Sequence, residues 1–242
     1  MNINENNTVA EIVVKNIKAA HIFKKYGIDF CCGGGITVEK ACEKNQANYN
    51  NIKAEIEALD STTEKRYNYD KWELNFLIDH IINIHHTYVQ ENIPLLLQYA
   101  NKVAKVHGHH YSELLEINTL VNNVVKELSA HLKKEELILF PYIKKLVSAL
   151  KDGTEIERPH FGTLENPIKM MHEEHDYAGN VFKRIALLTN NYSTPDGACN
   201  TFRALYSKLE EFEQDLHQHI HLENNILFPK AITLKKQISN AI

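Results

Sequence analysis

His131-Leu-Lys-Lys-Glu135-Glu-Leu-Ile-Leu139-Phe140-Pro141 is echoed by His219-Ile-His-Leu-Glu223-Asn-Asn-Ile-Leu227-Phe228-Pro229, 88 residues further on. In both, the pattern is H-x-x-x-E-x-x-x-L-F-P. A spacing of four puts an imidazole and a carboxylate one turn apart on the same helix face, so both reach one metal or the carboxylate bridges two. Leu-Phe-Pro adds apolar packing and then a helix bend or end. A single His/Glu pair of this kind is ordinary on a solvated helix face. A matched repeat is not.

Outward from the repeat, His86 precedes His131 by 45 residues and His175 precedes His219 by 44. Long helical patterns run over about 70–106, 112–150, 166–190 and 195–226, and Asn166-Pro167 and Thr194-Pro195 each place a capping side chain before a proline. Short connections make these an antiparallel four-helix bundle with a pseudo-two-fold plan, in which each half offers two histidines and one glutamate to the interior. Such a donor set, N₄O₂, suits iron. Glutamates able to bridge, with positions left for an oxo group, favour two irons over one closed tetrahedral zinc. The spacing differs from the Glu-x-x-His of ferritin-like bundles and argues against their chemistry.

Composition agrees with an all-α protein: 43% of 242 residues are hydrophobic, with only 9 Gly and 6 Pro. Lys plus Arg total 27 against 31 Asp plus Glu, an acidic balance that argues against nucleic acid or an anionic membrane as the partner. The N-terminus lacks a secretory h-region and no apolar run reaches ~18 residues, so a cytoplasmic location is expected. The 4 cysteines, Cys31, Cys32, Cys42 and Cys199, do not make a disulfide framework. Histidine is the anomaly, at 14 residues.

Upstream of the bundle, Thr8-Val-Ala-Glu11 has capping-box form and predicts a helix over about 8–26, closed by Gly27. Ile28-Asp-Phe-Cys-Cys-Gly-Gly-Gly35 is a loop, Thr37 caps a short second helix, and a third covers about 50–59. The polar run Asp60-Ser-Thr-Thr-Glu-Lys-Arg66 reads as a linker. Residues 1–62 are therefore expected as a small helical domain and 63–242 as the bundle.

Taken together, Tyr26-Gly-Ile-Asp-Phe-Cys-Cys-Gly-Gly, the two His/Glu segments, Glu173-Glu-His175-Asp and Leu222-Glu-Asn-Asn-Ile-Leu-Phe-Pro229 resemble the RIC family (repair of iron centres, the YtfE/ScdA group) of hemerythrin-like di-iron proteins. The resemblance covers nearly the whole chain. It implies two non-haem, carboxylate-bridged irons, with an oxo bridge, held by His86, His131, His175 and His219 with Glu135 and Glu223 as bridges. It also implies repair of iron–sulfur clusters damaged by oxidative and nitrosative stress, with damaged iron–sulfur proteins as partners. The alternative is a nitric oxide-reducing enzyme, or a protein that binds nitric oxide or dioxygen; the cysteine-bearing domain, which a dioxygen carrier does not need, counts against the last.

Neighbouring histidines are sorted by geometry. Successive helical residues point ~100° apart, so only one of His85 and His86 faces the core, and the family pattern selects His86. His172 shares a face with His175 and is assigned beside the site more readily than in it. His217 and His221 turn away from the face of His219. His107 matches a family histidine but lies ~30 Å along a helix from His86. The remaining histidines lack partners at metal-site spacing. For Cys31 and Cys32 two readings stand: they fill a turn, or the glycine loop exposes the sulfurs and backbone N–H dipoles favour thiolate for thiol chemistry or transient iron binding. Adjacent cysteines need further ligands to close a metal site, for which a second chain, in a homodimer, is one source. Cys42 and Cys199 read as packing residues.

Overall fold

A computed structural model describes residues 3–59, 68–155 and 157–241. The predicted linker, and with it the boundary at 62/63, lies outside the described residues. The capping box forms as expected, with the Thr8 hydroxyl accepting from the Glu11 N–H and the Glu11 carboxylate accepting from the Thr8 N–H. The predicted helix over 8–26 is instead two, α1 (Val9–Lys15) and α2 (Ala19–Lys25). Asn16 breaks it: its backbone turns extended, and its side-chain oxygen accepts from the Lys18 N–H, the local bond by which asparagine competes with helix continuation. Gly27, at φ +68°, supplies the left-handed stop after α2. Helices α3 (Val38–Asn45, capped by Thr37) and α4 (Tyr49–Ala58, capped by Asn48) complete this unit.

Four rods follow. The first is α5 (Leu74–His80), a π-helical segment π1 (Ile81–His86) and α6 (Thr87–His107). The second is α7 (Glu113–Lys134), π2 (Glu135–Leu139) and α8 (Phe140–Asp152), ended by Gly153 in the left-handed conformation. The third is α9 (Glu165–Leu188), and the fourth α10 (Asn200–Leu222), π3 (Glu223–Leu227) and α11 (Phe228–Ala241). Around the antiparallel bundle α7 lies between α6 and α9, and α10 packs on both α6 and α9. No strand occurs among the described residues.

Three expectations are corrected here. Leu-Phe-Pro does not end the fourth helix near 226: a wider π turn precedes each proline, spares it the usual clash, and the rod runs on. Asn166 is not a cap, because α9 has already begun and the Asn166 amide donates to the Phe161 carbonyl. Thr194-Pro195 does not open α10 either; the chain turns once more through Gly197, and α10 begins after Cys199.

Two apolar clusters fill the interior. One joins α1–α4 to the bundle half that holds Val89, Leu132, Phe182, Phe212 and Ile220. The other lies at the opposite end, with Ile81, Leu139, Met171, Leu222 and Phe228. In every rod the histidines and glutamates singled out above fall between those two sets, as a polar layer. The glycine loop folds closely on itself and on α1: a Cβ on Gly34 would stand 2.4 Å from the Phe30 carbonyl oxygen and 3.1 Å from the Ala10 Cβ. Gly34→Ala should therefore destabilise the protein by about 1–3 kcal/mol, read as a lower urea midpoint at unchanged slope.

Candidate metal centre

Each of the three π segments begins or ends on a residue of the polar layer: π1 ends at His86, π2 starts at Glu135 and π3 starts at Glu223. An extra residue in the turn re-aims the side chains, a common device at functional sites. The result is two overlapping clusters, His86/Glu135/His219/Glu223 and His131/Glu135/His175/Glu223, in each of which the ligand atoms lie within 4.8 Å of one another. Both glutamates belong to both clusters. All six residues are at most 2% exposed.

All four imidazoles aim Nε2 inward. His131 and His86 approach Glu135 at 3.3 and 3.4 Å, while His219 and His175 approach Glu223 at 3.0 and 3.2 Å. The Nε2 atoms of His131 and His175 face each other at 3.1 Å. Both Glu135 oxygens, Glu223 Oε2 and His86 Nε2 are buried without a hydrogen-bond partner. Two such carboxylates cost several kcal/mol each unless positive charge compensates them, and imidazole nitrogens and carboxylate oxygens that converge on one buried space are the donor set of a cation site.

The outer nitrogens explain why the inner ones are free. Nδ1 of His86 donates to Glu136, Nδ1 of His131 to Glu174 and Nδ1 of His175 to the Asn224 carbonyl oxygen, each at 2.8 Å. These bonds fix the tautomer that leaves a lone pair on Nε2. Glu174 is itself held by Lys134; the hydrogen bond from His131, with that from Lys134, keeps its carboxyl near 2 despite partial burial. Glu136 and Asn224 occupy the same place in the 88-residue repeat, a signal that was available in the sequence and points to them as supports.

Symmetry fails at one position. Glu174 precedes His175 as His85 precedes His86, so His85 stands where a partner for His219 would stand. It instead stacks on the His219 ring, centroids 5.6 Å apart, and its own Nδ1 bonds Asp215 at 2.8 Å. His219 Nδ1 is left buried without a hydrogen bond. The expectation that only one of His85 and His86 is internal is thus overturned: both are buried, His86 toward the clusters and His85 toward α10.

Other histidines fall outside. His172 is exposed and meets the edge of Phe228. His217 and His221 turn from the centre as predicted, but into the N-terminal unit, where both pack on Phe30; burial takes His221 down to about 4. His107 lies far from the clusters, with Nε2 at 3.3 Å from the sulfur of exposed Cys199, which is therefore not a packing residue.

The cysteine loop also departs from expectation. Cys31 is buried, and the N–H groups of Cys31 and Cys32 are both spent on Asp29 Oδ1, at 3.0 and 3.1 Å. The neighbouring Cys32 sulfur, burial and the Asp29 charge push the Cys31 thiol well up, so it is held as the thiol and not favoured as thiolate. Cys32 is half-buried and, with Lys24, Lys183 and His217, lines a groove of about 550 Å³ against the bundle. Asn225, two residues past Glu223, donates to the carbonyls of Phe30 and Cys31 at 3.3 Å, seating the loop on π3.

Charge in the metal-free layer is carried by protons. Burial opposes the imidazolium at His86 and His131, but Glu135 outweighs it in both, helped by Glu223, and raises them to about 10. Burial raises Glu135 and Glu223, and the histidines more than reverse this, holding Glu223 well below the usual carboxylate range. The histidine contribution to stability is complete below the ordinary value of 6.5 and is lost as pH climbs toward 10. The glutamate contribution is present above 4.5 and is lost in acid. Metal-free protein should accordingly be most stable between those two values and melt at falling temperature above them, whereas loaded protein stays level because cations replace the protons. Thermal scans of both forms from pH 5 to 9 decide it; parallel curves would refute the assignment of charge. Glu174→Ala should lower cation affinity about 10–100-fold by freeing the His131 ring, measured by competition with a chelator.

Comparison with known proteins places this geometry in a family. Residues 77–231 match the model of the hemerythrin HHE cation-binding domain, and residues 5–60 match ScdA_N, a domain of unknown function. A protein of Yersinia pseudotuberculosis named iron-sulfur cluster repair protein YtfE is 34% identical over 227 residues, 94% of this chain and 97% of the relative. A Haemophilus influenzae protein named probable iron-sulfur cluster repair protein is 36% identical over 229 residues, again 94% and 97%. With a buried His/Glu cation site in a helical bundle and likeness along almost its full length, the chain belongs to the hemerythrin-like RIC family of iron–sulfur cluster repair proteins.

Proposed function

We propose that this chain restores iron–sulfur clusters damaged by oxidative and nitrosative stress, through a pair of non-haem irons bridged by Glu135 and Glu223 and ligated by His86, His131, His175 and His219. The observation that carries the reading is the sharing of both glutamates by the two clusters. Each metal position then has two imidazoles and two carboxylate oxygens, which leaves coordination sites open. A bound di-iron centre supplies reversible one-electron chemistry and binding of small ligands. The protein's own residues hold it: four neutral imidazoles keep the site net positive, Glu136, Glu174 and Asn224 orient three of them, and the apolar clusters above and below exclude water. A second groove, of about 340 Å³, reaches His131 and His175 past Glu127 and Glu173. Its size suits small ligands, and it supports nitric oxide turnover at the same irons as a second reading.

The N-terminal unit, proposed to be a domain of its own up to about residue 62, lines the groove with both Cys31 and Cys32, of which Cys32 is the less buried. The thiols lie outside the ligand set, so Cys31→Ala with Cys32→Ala should keep the iron absorption yet impair repair. Anaerobically purified protein mixed with a nitric oxide-damaged [4Fe–4S] enzyme tests this by recovery of the enzyme's activity. Full recovery with the double variant would reduce the cysteines to turn-fillers. Metal analysis should give about two irons per chain; one zinc and no iron would overturn the di-iron reading. Nitrous oxide formed under reducing conditions would favour the second reading.

A further inference from the structure

None of the six ligand residues is more than 2% exposed, and the groove beside Glu127 and Glu173 is lined by His131 and His175 but not by His86 or His219. Electrons bound for the position between His86 and His219 must therefore cross the protein through side chains. Tunnelling falls off steeply with the gap between groups, so rings in mutual contact make the easiest path. One continuous run of rings leads out. His219 stacks on His85 at 5.6 Å, nearly parallel at 6°. His85 meets His80 at 5.8 Å, His80 meets Trp72 at 5.0 Å, and Trp72 meets Phe76 at 4.7 Å, where Phe76 is 58% exposed.

Several features single this run out. It contains the chain's 1 tryptophan, whose large ring spans the gap between His80 and Phe76, and Tyr69 lies beside that ring at 4.7 Å. Lys230 fixes the Trp72 backbone by donating to its carbonyl at 2.6 Å, and Asp215 fixes His85. The run exists because His85 stands at the position that Glu174 fills in the other half: the residue that breaks the two-fold symmetry puts a ring where a carboxylate would otherwise be. A rival path, from His175 through Phe228 to exposed His172, has a longer first gap, 6.3 Å against 5.6 Å.

We propose that Trp72, His80 and His85 form the electron entry route of this protein, carrying single electrons from a reduced flavin at the Phe76–Trp72 edge to the metal held by His219. The flavin loses one electron, and its proton passes to water. The electron would pass through His219 to a ferric ion held by His86 and His219, reducing it to the ferrous state. The exposed ring of Phe76 suits the flat face of such a donor, which stacks on it. Electrons therefore arrive at one metal position and not at both. The route rests on the two-iron reading above, and the residues that compose it are positioning residues, since none but His219 touches the metal.

The test uses full-length, iron-loaded, oxidised protein mixed anaerobically with free reduced flavin mononucleotide in a stopped-flow instrument, with loss of ferric absorption as the readout. Iron content and reduction potential are measured on every variant. Trp72→Leu and His80→Leu should slow reduction by roughly an order of magnitude or more at unchanged iron content and potential. Trp72→Phe and His80→Phe, which keep a ring in place, should retain most of the rate. His172→Leu should behave as wild type. Wild-type rates in both leucine variants, equal losses in the leucine and phenylalanine variants, or slowing by His172→Leu alone would each overturn the route. Wild-type protein that binds no iron overturns the two-iron reading and the route with it, whereas iron-replete variants that all reduce at the wild-type rate overturn the route alone.

Discussion

Burial of two carboxylates side by side in the middle of a helical bundle is the constraint on which this structure depends. Glu135 and Glu223 are fully buried, and neither can be tolerated there without positive charge. Protons on His86 and His131 supply it in the metal-free protein and cations supply it otherwise. Everything around the layer serves that exchange. Three π turns aim the ligands, outer hydrogen bonds hold three imidazoles in the tautomer a cation needs, and two apolar clusters keep water from competing.

The pseudo-two-fold plan makes such a site economical to encode, because one helix pair solves the problem and its repeat solves it again. Glu136 and Asn224 show the supports repeating along with the ligands. The exception at His85 carries more meaning than the rule. In one half a carboxylate steadies the ring of His131, and in the other a ring lies flat on His219, whose Nδ1 has no partner. Burial lowers His219 while Glu135 helps to raise His131. The two His/Glu clusters are alike in residue type and unlike in how firmly their imidazoles are oriented, which gives the layer a polarity that the repeat alone would not have.

Much of this was legible in the sequence. His131-x-x-x-Glu135 and its copy encode a face, a helix period and a donor set at once, and those survive folding because spacing of four means the same thing in any helix. What failed was local. Asn16 ended a helix that its apolar pattern would have continued, since an asparagine side chain offers the backbone a rival hydrogen bond. Leu-Phe-Pro looked like a terminus because proline breaks an α turn, and no composition rule announces a π turn that absorbs it. Rotation of ~100° per residue excluded His85 from the interior, but a bundle has neighbours on several sides, and a residue turned from the centre can still be buried against the next rod. The same oversight hid the packing of His217 and His221 against Phe30.

The cysteine loop shows how the N-terminal unit and the metal layer are joined. π3 presents Glu223 to the centre, while Asn225 and His221, on the same stretch of rod, hold the loop through its Phe30 and Cys31 carbonyls and the Phe30 ring. The loop is thus tied to the segment that positions Glu223, which both His/Glu clusters share. Asp29 adds a second tie, since one of its oxygens accepts both cysteine N–H groups and faces the Cys31 sulfur at 3.4 Å. Cys31 is held as the thiol, Cys32 is the less buried of the two sulfurs along the groove, and the loop that carries both is seated on the rod that presents Glu223.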